Sequence, residues 1–118
     1  EEAAKSREEI QAMREAVTLD TNGWRKETAT LINKIANKLG GFEHIRNVRE
    51  ESYKLLNETY GVDINRRLKN KQKNMALEGV SRSKINKVNL LDVIAEDKKL
   101  LNGYINIVTK MAIRYGVA

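Results

Sequence analysis

Eight cationic side chains fall within 25 residues of this sequence: Arg66, Arg67, Lys69, Lys71, Lys73, Arg82, Lys84 and Lys87, against Asp63 and Glu78 alone. Lysine supplies a compact charge and arginine a planar fork of donors, the two groups that neutralise and grip phosphate. The whole chain of 118 residues carries a net charge of +6, and residues 63–87 by themselves account for +6. A cluster of this density raises a field that draws polyanions, nucleic acid first among them. The plainer reading of the same residues is a solvated helix face. Aromatic side chains do not interleave with these cations, so stacking of single-stranded bases is not the expected mode.

Within that segment, Met75-Ala76-Leu77-Glu78-Gly79-Val80-Ser81-Arg82-Ser83-Lys84-Ile85 reads as two helices around a glycine turn. Gly79 would make the turn, Val80 would pack inward and Ser81 would cap the second helix, the arrangement of a helix-turn-helix. Arg82, Ser83, Asn86 and Lys87 would then face a groove, with the arginines and lysines of the preceding helix on phosphates. The fit is imperfect. Met75 stands where a small residue is expected, and Asn89 threatens to interrupt the second helix.

Other chemistries find little support. The chain has no cysteine and one histidine, His44, which removes disulfide scaffolds, thiol nucleophiles and cysteine-ligated metals. His44 reads as an ordinary exposed or half-buried side chain rather than a ligand. Glu50-Glu51 and Glu96-Asp97 read as surface charge and helix N-terminal acids, and no nucleotide loop, metalloprotease motif or nucleophile elbow is present. The expectation is a non-enzymatic protein that needs no cofactor and no metal, and that works by binding. No apolar run approaches the roughly 20 residues that span a bilayer, so no membrane partner is expected.

The elements that must position the cations are helical. Seven glycines and no proline suit helices joined by tight turns, and no alternating strand pattern occurs. After Asp20, Thr21 and Asn22, all good N-caps, the spacing predicts a helix over about 24–39, burying Trp24, Thr28, Leu31, Ile32, Ile35 and Leu39. Gly40-Gly41 stops it. A further helix is expected over about 42–60, burying Phe42, Ile45, Val48, Leu55, Leu56 and Tyr60, with Gly61 at its end. Asp63 should cap a helix over 64–78 whose thin apolar stripe is Ile64, Leu68 and Met75, with Gln72 filling the gap. At 100° per residue, Arg66, Lys69, Asn70 and Lys73 fall on its opposite face, flanked by Arg67 and Asn74. Short helices at 82–87 and 90–95 follow, the latter capped by Asn89. The last helix, about 97–115, carries the strongest apolar stripe: Leu101, Tyr104, Ile105, Val108, Met111, Ala112 and Tyr115.

The fold class is therefore all-α, a compact bundle of about five helices in residues 20–118. Residues 1–19 read as a separate helix candidate with a narrow seam that includes Ile10, Met13 and Val17, spaced as in a short coiled coil. That helix reads either as an oligomerisation element holding copies together or as a connector from a missing N-terminal domain. The chain opens with Glu1 rather than Met, consistent with a piece of a longer protein.

Three runs in order carry a family likeness. They are Trp24-Arg25-Lys26-Glu27 with Leu31-Ile32-Asn33-Lys34-Ile35-Ala36; Tyr53-Lys54-Leu55-Leu56-Asn57 leading to Tyr60-Gly61-Val62-Asp63-Ile64 and Arg66-Arg67-Leu68; and Gly79-Val80-Ser81-Arg82-Ser83-Lys84-Ile85-Asn86-Lys87 with Leu91-Asp92-Val93-Ile94. Together, over roughly residues 20–116, they resemble the C-terminal domain of phage antirepressor-type regulators, the ORF-six-C domain family. The resemblance implies a regulator of the switch between lysogeny and lytic growth, working in the cytoplasm of a bacterial host, with no catalytic residues to carry over. Two partners follow as expectations. The first is DNA, bound by Arg66, Arg67, Lys69, Lys73, Arg82, Lys84 and Lys87. The alternative is a phage repressor or other regulatory protein, captured by an oligomer without contact to DNA.

Overall fold

The computed structural model describes residues 23–117, and these are all-α. Six helices and one 3-10 turn follow in chain order: α1 Gly23–Leu39, the turn Phe42–His44, α2 Ile45–Tyr60, α3 Ile64–Leu77, α4 Arg82–Lys87, α5 Leu90–Ala95 and α6 Lys98–Arg114. No strand occurs among the described residues. The N-cap candidates Asp20, Thr21 and Asn22 and the expected seam Ile10, Met13 and Val17 lie outside the described residues.

By their contacts the described residues divide into two units. One holds the residues up to Val48 together with those from Val108 on. Its core is Trp24, Ile32, Ile35, Ala36, Val48, Val108, Met111 and Ala112, with Thr28 the buried polar residue among them. Burying a hydroxyl costs free energy unless it is bonded, and Thr28 Oγ1 donates to the Trp24 carbonyl at 2.8 Å. After α1 the Gly40 and Gly41 N–H groups close onto the Asn37 and Ala36 carbonyls at 3.2 and 3.0 Å. Both glycines have strongly positive φ, 134° and 143°, which a side chain would resist.

That turn corrects one expectation. Phe42 does not begin α2; it starts a separate 3-10 turn and is 81% exposed, while Leu39 before it is 45% exposed. The 3-10 turn breaks the helical phase between Phe42 and Ile45, so a stripe counted from Phe42 does not continue into α2, which starts at Ile45.

The second unit, Arg49–Ile107, holds the basic segment. Its floor is built from Leu56, Ile64, Val93, Ile94, Leu100, Tyr104, Ile105 and Ile107, all buried. Ser52 is buried with them and lies 3.1 Å from the Tyr104 hydroxyl, while its own hydroxyl donates to the Arg49 carbonyl at 2.6 Å. Burial pushes the Tyr104 phenol up to about 12, partly offset by the Ser52 hydrogen bond. Tyr53 stacks on Tyr104 with ring centroids 5.7 Å apart. Gly103 lets the Tyr60 ring lie close against α6: a Cβ there would meet that ring at 2.3 Å and the ring would have to move aside. Lys99 Nζ lies 5.9 Å from the centroid of that same ring, within reach of a cation–π contact. In α6 the buried leucine is Leu100, with Leu101 half-buried.

Candidate functional site

α3 is fixed at its start by two side chains and at its middle by few. Asp63 accepts the Arg66 N–H at 3.1 Å, the cap expected of it, and Asn57 Oδ1 accepts the Ile64 N–H at 3.1 Å. Ile64 is fully buried, Leu68 and Met75 half-buried. Gln72, in the gap of the stripe, reaches across to donate from Nε2 to the Ile85 carbonyl of α4 at 3.3 Å. Everything else on α3 except Lys71 is exposed: Asn65, Arg66, Arg67, Lys69, Asn70, Lys73, Asn74, Ala76 and Leu77. The helix is thus held along one narrow line and stands out from its neighbours elsewhere.

The cations of α3 separate into two groups. Arg67 Nη1 donates to Asp97 Oδ2 at 3.3 Å, and Lys71 Nζ pairs with Glu96 Oε1. Both acids sit where α5 gives way to α6. Burial works to raise the Asp97 carboxyl, but its donors outweigh that: the Lys99 N–H at 2.9 Å, the Arg67 guanidinium and the Leu100 N–H hold it below the usual carboxylate range. The Lys99 and Leu100 bonds also make Asp97 the cap of α6. Between α3 and these acids lies an open cleft of about 510 Å³, lined by Arg67, Asn70, Lys71, Asn74, Met75, Glu78, Val93, Glu96 and Asp97. Its cations are matched by carboxylates, so it offers an anion no unpaired positive charge.

Arg66, Lys69 and Lys73 have no such partners. Each is exposed, and none forms an ion pair among the described residues. Successive residues turn by 100°, which places all three on the side of α3 away from Ile64 and Met75, with Asn70 and Leu77 beside them. Leu77 is 78% exposed on that face.

Arg82, Lys84 and Lys87 are exposed on α4 and likewise form no ion pair among the described residues. α4 has only six residues, its end marked by the extended backbone of Val88. Asn89 then caps α5 in a reciprocal pair, taking the Asp92 N–H and giving its own N–H to the Asp92 carboxylate, both at 3.0 Å. The interruption expected at Asn89 is therefore real, and the second helix of a helix-turn-helix is cut to less than two turns. Gly79 does make the turn, with φ 81°. Ser81 occupies the N-cap position of α4 but its hydroxyl makes no capping bond; it lies 3.4 Å from the Ser83 hydroxyl instead.

Of the seven residues read as a cationic binding set, the structure puts Arg66, Lys69 and Lys73 on one open face of α3 and Arg82, Lys84 and Lys87 on the adjoining short helix. Arg67 is held by a carboxylate. The partners Glu96 and Asp97 were read in sequence only as surface and N-terminal acids; their pairing spans 25 and 30 residues, and no local pattern reveals it. His44 is half-buried beside Glu43, 3.7 Å away. Among the described residues no group of three or more His, Asp or Glu side chains could hold a metal ion, and no helix is long and apolar enough to cross a membrane.

Fold and surface together define the class: an all-α protein with a cationic, solvent-facing helix. Comparison of the chain with protein-family models, with curated proteins and with solved structures finds no match.

Proposed function

We propose that this chain is a non-catalytic regulatory domain that binds duplex DNA through α3 and α4. One observation carries the reading. Once Glu96 and Asp97 have taken Lys71 and Arg67, six cations on two consecutive helices stand exposed with no carboxylate partner among the described residues: Arg66, Lys69, Lys73, Arg82, Lys84 and Lys87. Unpaired lysines and arginines on ordered helices neutralise phosphates and release the counterions condensed on a duplex. The resemblance to antirepressor C-terminal domains supports a role in the choice between lysogeny and lytic growth. Such a regulator acts by occupying DNA or by disabling a repressor.

A labelled duplex tests this. With about six phosphate contacts, affinity should fall roughly a thousandfold between 50 and 200 mM salt. Arg66→Glu, Lys69→Glu and Lys73→Glu together should abolish the interaction. Absence of any shift at low salt would defeat the reading.

A second reading, capture of a repressor or another regulatory protein, is favoured by Leu77. An exposed leucine among cations suits an acidic protein surface with an apolar anchor. Under that reading Leu77→Ala weakens capture of a protein partner and the chain leaves duplex DNA alone.

A further inference from the structure

We infer that α3, rather than the shorter α4, is the helix that enters the major groove, with Arg66, Asn70 and Lys73 turned to the base edges. This rests on the DNA reading above and adds sequence preference to it. The two helices differ in what they can present. α4 spans six residues, about 9 Å of axis, whereas α3 spans fourteen, about 21 Å. A groove-reading element must also project, because a helix with its side chains is about 10–12 Å across and the major groove about 12 Å wide. α3 does so: it is anchored along Ile64, Leu68, Gln72 and Met75, and the remainder of its circumference is exposed but for the paired Lys71.

The residue types on that projecting side match what base edges require. Arg66, Asn70, Lys73 and Leu77 recur at intervals of four, three and four residues and fall within an arc of roughly 60°. Arginine and lysine pair with the two acceptors of guanine, asparagine with the acceptor and donor of adenine, and an apolar side chain with the thymine methyl. Arg66 to Lys73 covers about 10 Å, the rise of three base pairs. The Asn70 amide makes no hydrogen bond within the described residues, so both its donor and its acceptor are available. Lys69 lies to one side of this row, placed for a phosphate. Arg82, Lys84 and Lys87 sit on α4, which Gln72 ties to the flank of α3, and they serve the backbone as well.

The experiment is selection of the full chain against a random duplex library at about 0.15 M salt, followed by binding of the selected and a scrambled duplex. Asn70→Ala and Lys69→Ala are compared with the parent, with circular dichroism confirming that each stays helical. The expected result is an enriched core of about three base pairs. Asn70→Ala should shrink the preference for the selected duplex roughly tenfold and leave the salt slope unchanged. Lys69→Ala should weaken both duplexes alike and lower the slope by about one. Steep salt-dependent binding with no enriched sequence, and equal loss on both duplexes for Asn70→Ala, would overturn the inference and leave the DNA reading intact. No binding to any duplex, with Leu77-dependent binding of an acidic helical peptide, would overturn both.

Discussion

The two sides of α3 carry the same residue types and end in opposite electrostatic states. On one side Arg67 and Lys71 face Asp97 and Glu96 across an open cleft. On the other, Arg66, Lys69 and Lys73 are exposed with no carboxylate partner among the described residues. Composition cannot distinguish them, since each is a short run of arginine and lysine on one helix. Among the described residues, what separates them is the junction of α5 and α6, whose carboxylates pair with one side and not the other. A basic segment is therefore not a basic surface; the surface is what remains after the rest of the fold has spent its acids.

The largest expected effect breaks the comparison directly. Reversing Arg66, Lys69 and Lys73 to Glu should lower affinity for duplex DNA at least a hundredfold in fluorescence anisotropy at fixed salt. Arg67→Gln with Lys71→Gln should change it less than about threefold, because those charges are already matched. Equal losses from the two sets would erase the distinction between the sides.

Next is the anchor common to both. Ile64 is fully buried at the start of α3, and Ile64→Ala should cost about 2–5 kcal/mol in denaturant unfolding. DNA affinity at temperatures where the variant stays folded should change little if the open side binds as a preformed surface.

Tyr104 separates stability from binding altogether. Its neutral phenol is favoured in the fold, where its ionisation is pushed up to about 12 from the usual 10. That contribution is complete below pH 10 and is lost as pH climbs toward 12, because the unfolded chain sheds its phenolic proton first. The loss is on the order of 2 kcal/mol. Tyr104→Phe should remove this part of the alkaline destabilisation and leave affinity for DNA at neutral pH unaltered.

The smallest effect concerns Asp97. Its carboxyl lies below the ordinary 3.8, so the ionised form favours the fold. That stability is present above the ordinary value and disappears as pH falls through the lowered one. Acid titration of the unfolding midpoint should show a shallower fall for Asp97→Asn than for the parent. The same substitution releases Arg67, and DNA affinity should rise slightly as one side of α3 comes to resemble the other.

Much of the fold was legible because its punctuation is local. Asp63 and Asn89 cap where their side chains reach the next turn, and Gly61, Gly79 and Gly116 follow helix ends with positive φ. α4 and α5 fall at the expected residues, and α6 at Lys98–Arg114 within one residue of expectation at each end. Reading failed where phase or distance mattered. A stripe counted from Phe42 assumes one helix over 42–60, whereas the 3-10 turn Phe42–His44 breaks the phase before α2. The helical spacing points to Leu101, whereas Leu100 beside it is the more deeply buried. For the site, the open row was readable from the 100° turn of a helix whose start was known. The pairing of Arg67 and Lys71 was not, since Glu96 and Asp97 are brought to them only by the packing of α3 against α5.

Asp97 is also bonded to two backbone N–H groups at the head of α6. It cannot follow Arg67 if that side chain is drawn elsewhere, since leaving would uncap the helix. An anion approaching from the cleft would have to draw Arg67 away from an acid that also caps a helix, whereas Arg66 and Lys73 have no carboxylate partner among the described residues to give up. That carboxylate, with Glu96 beside it, fences one edge of α3.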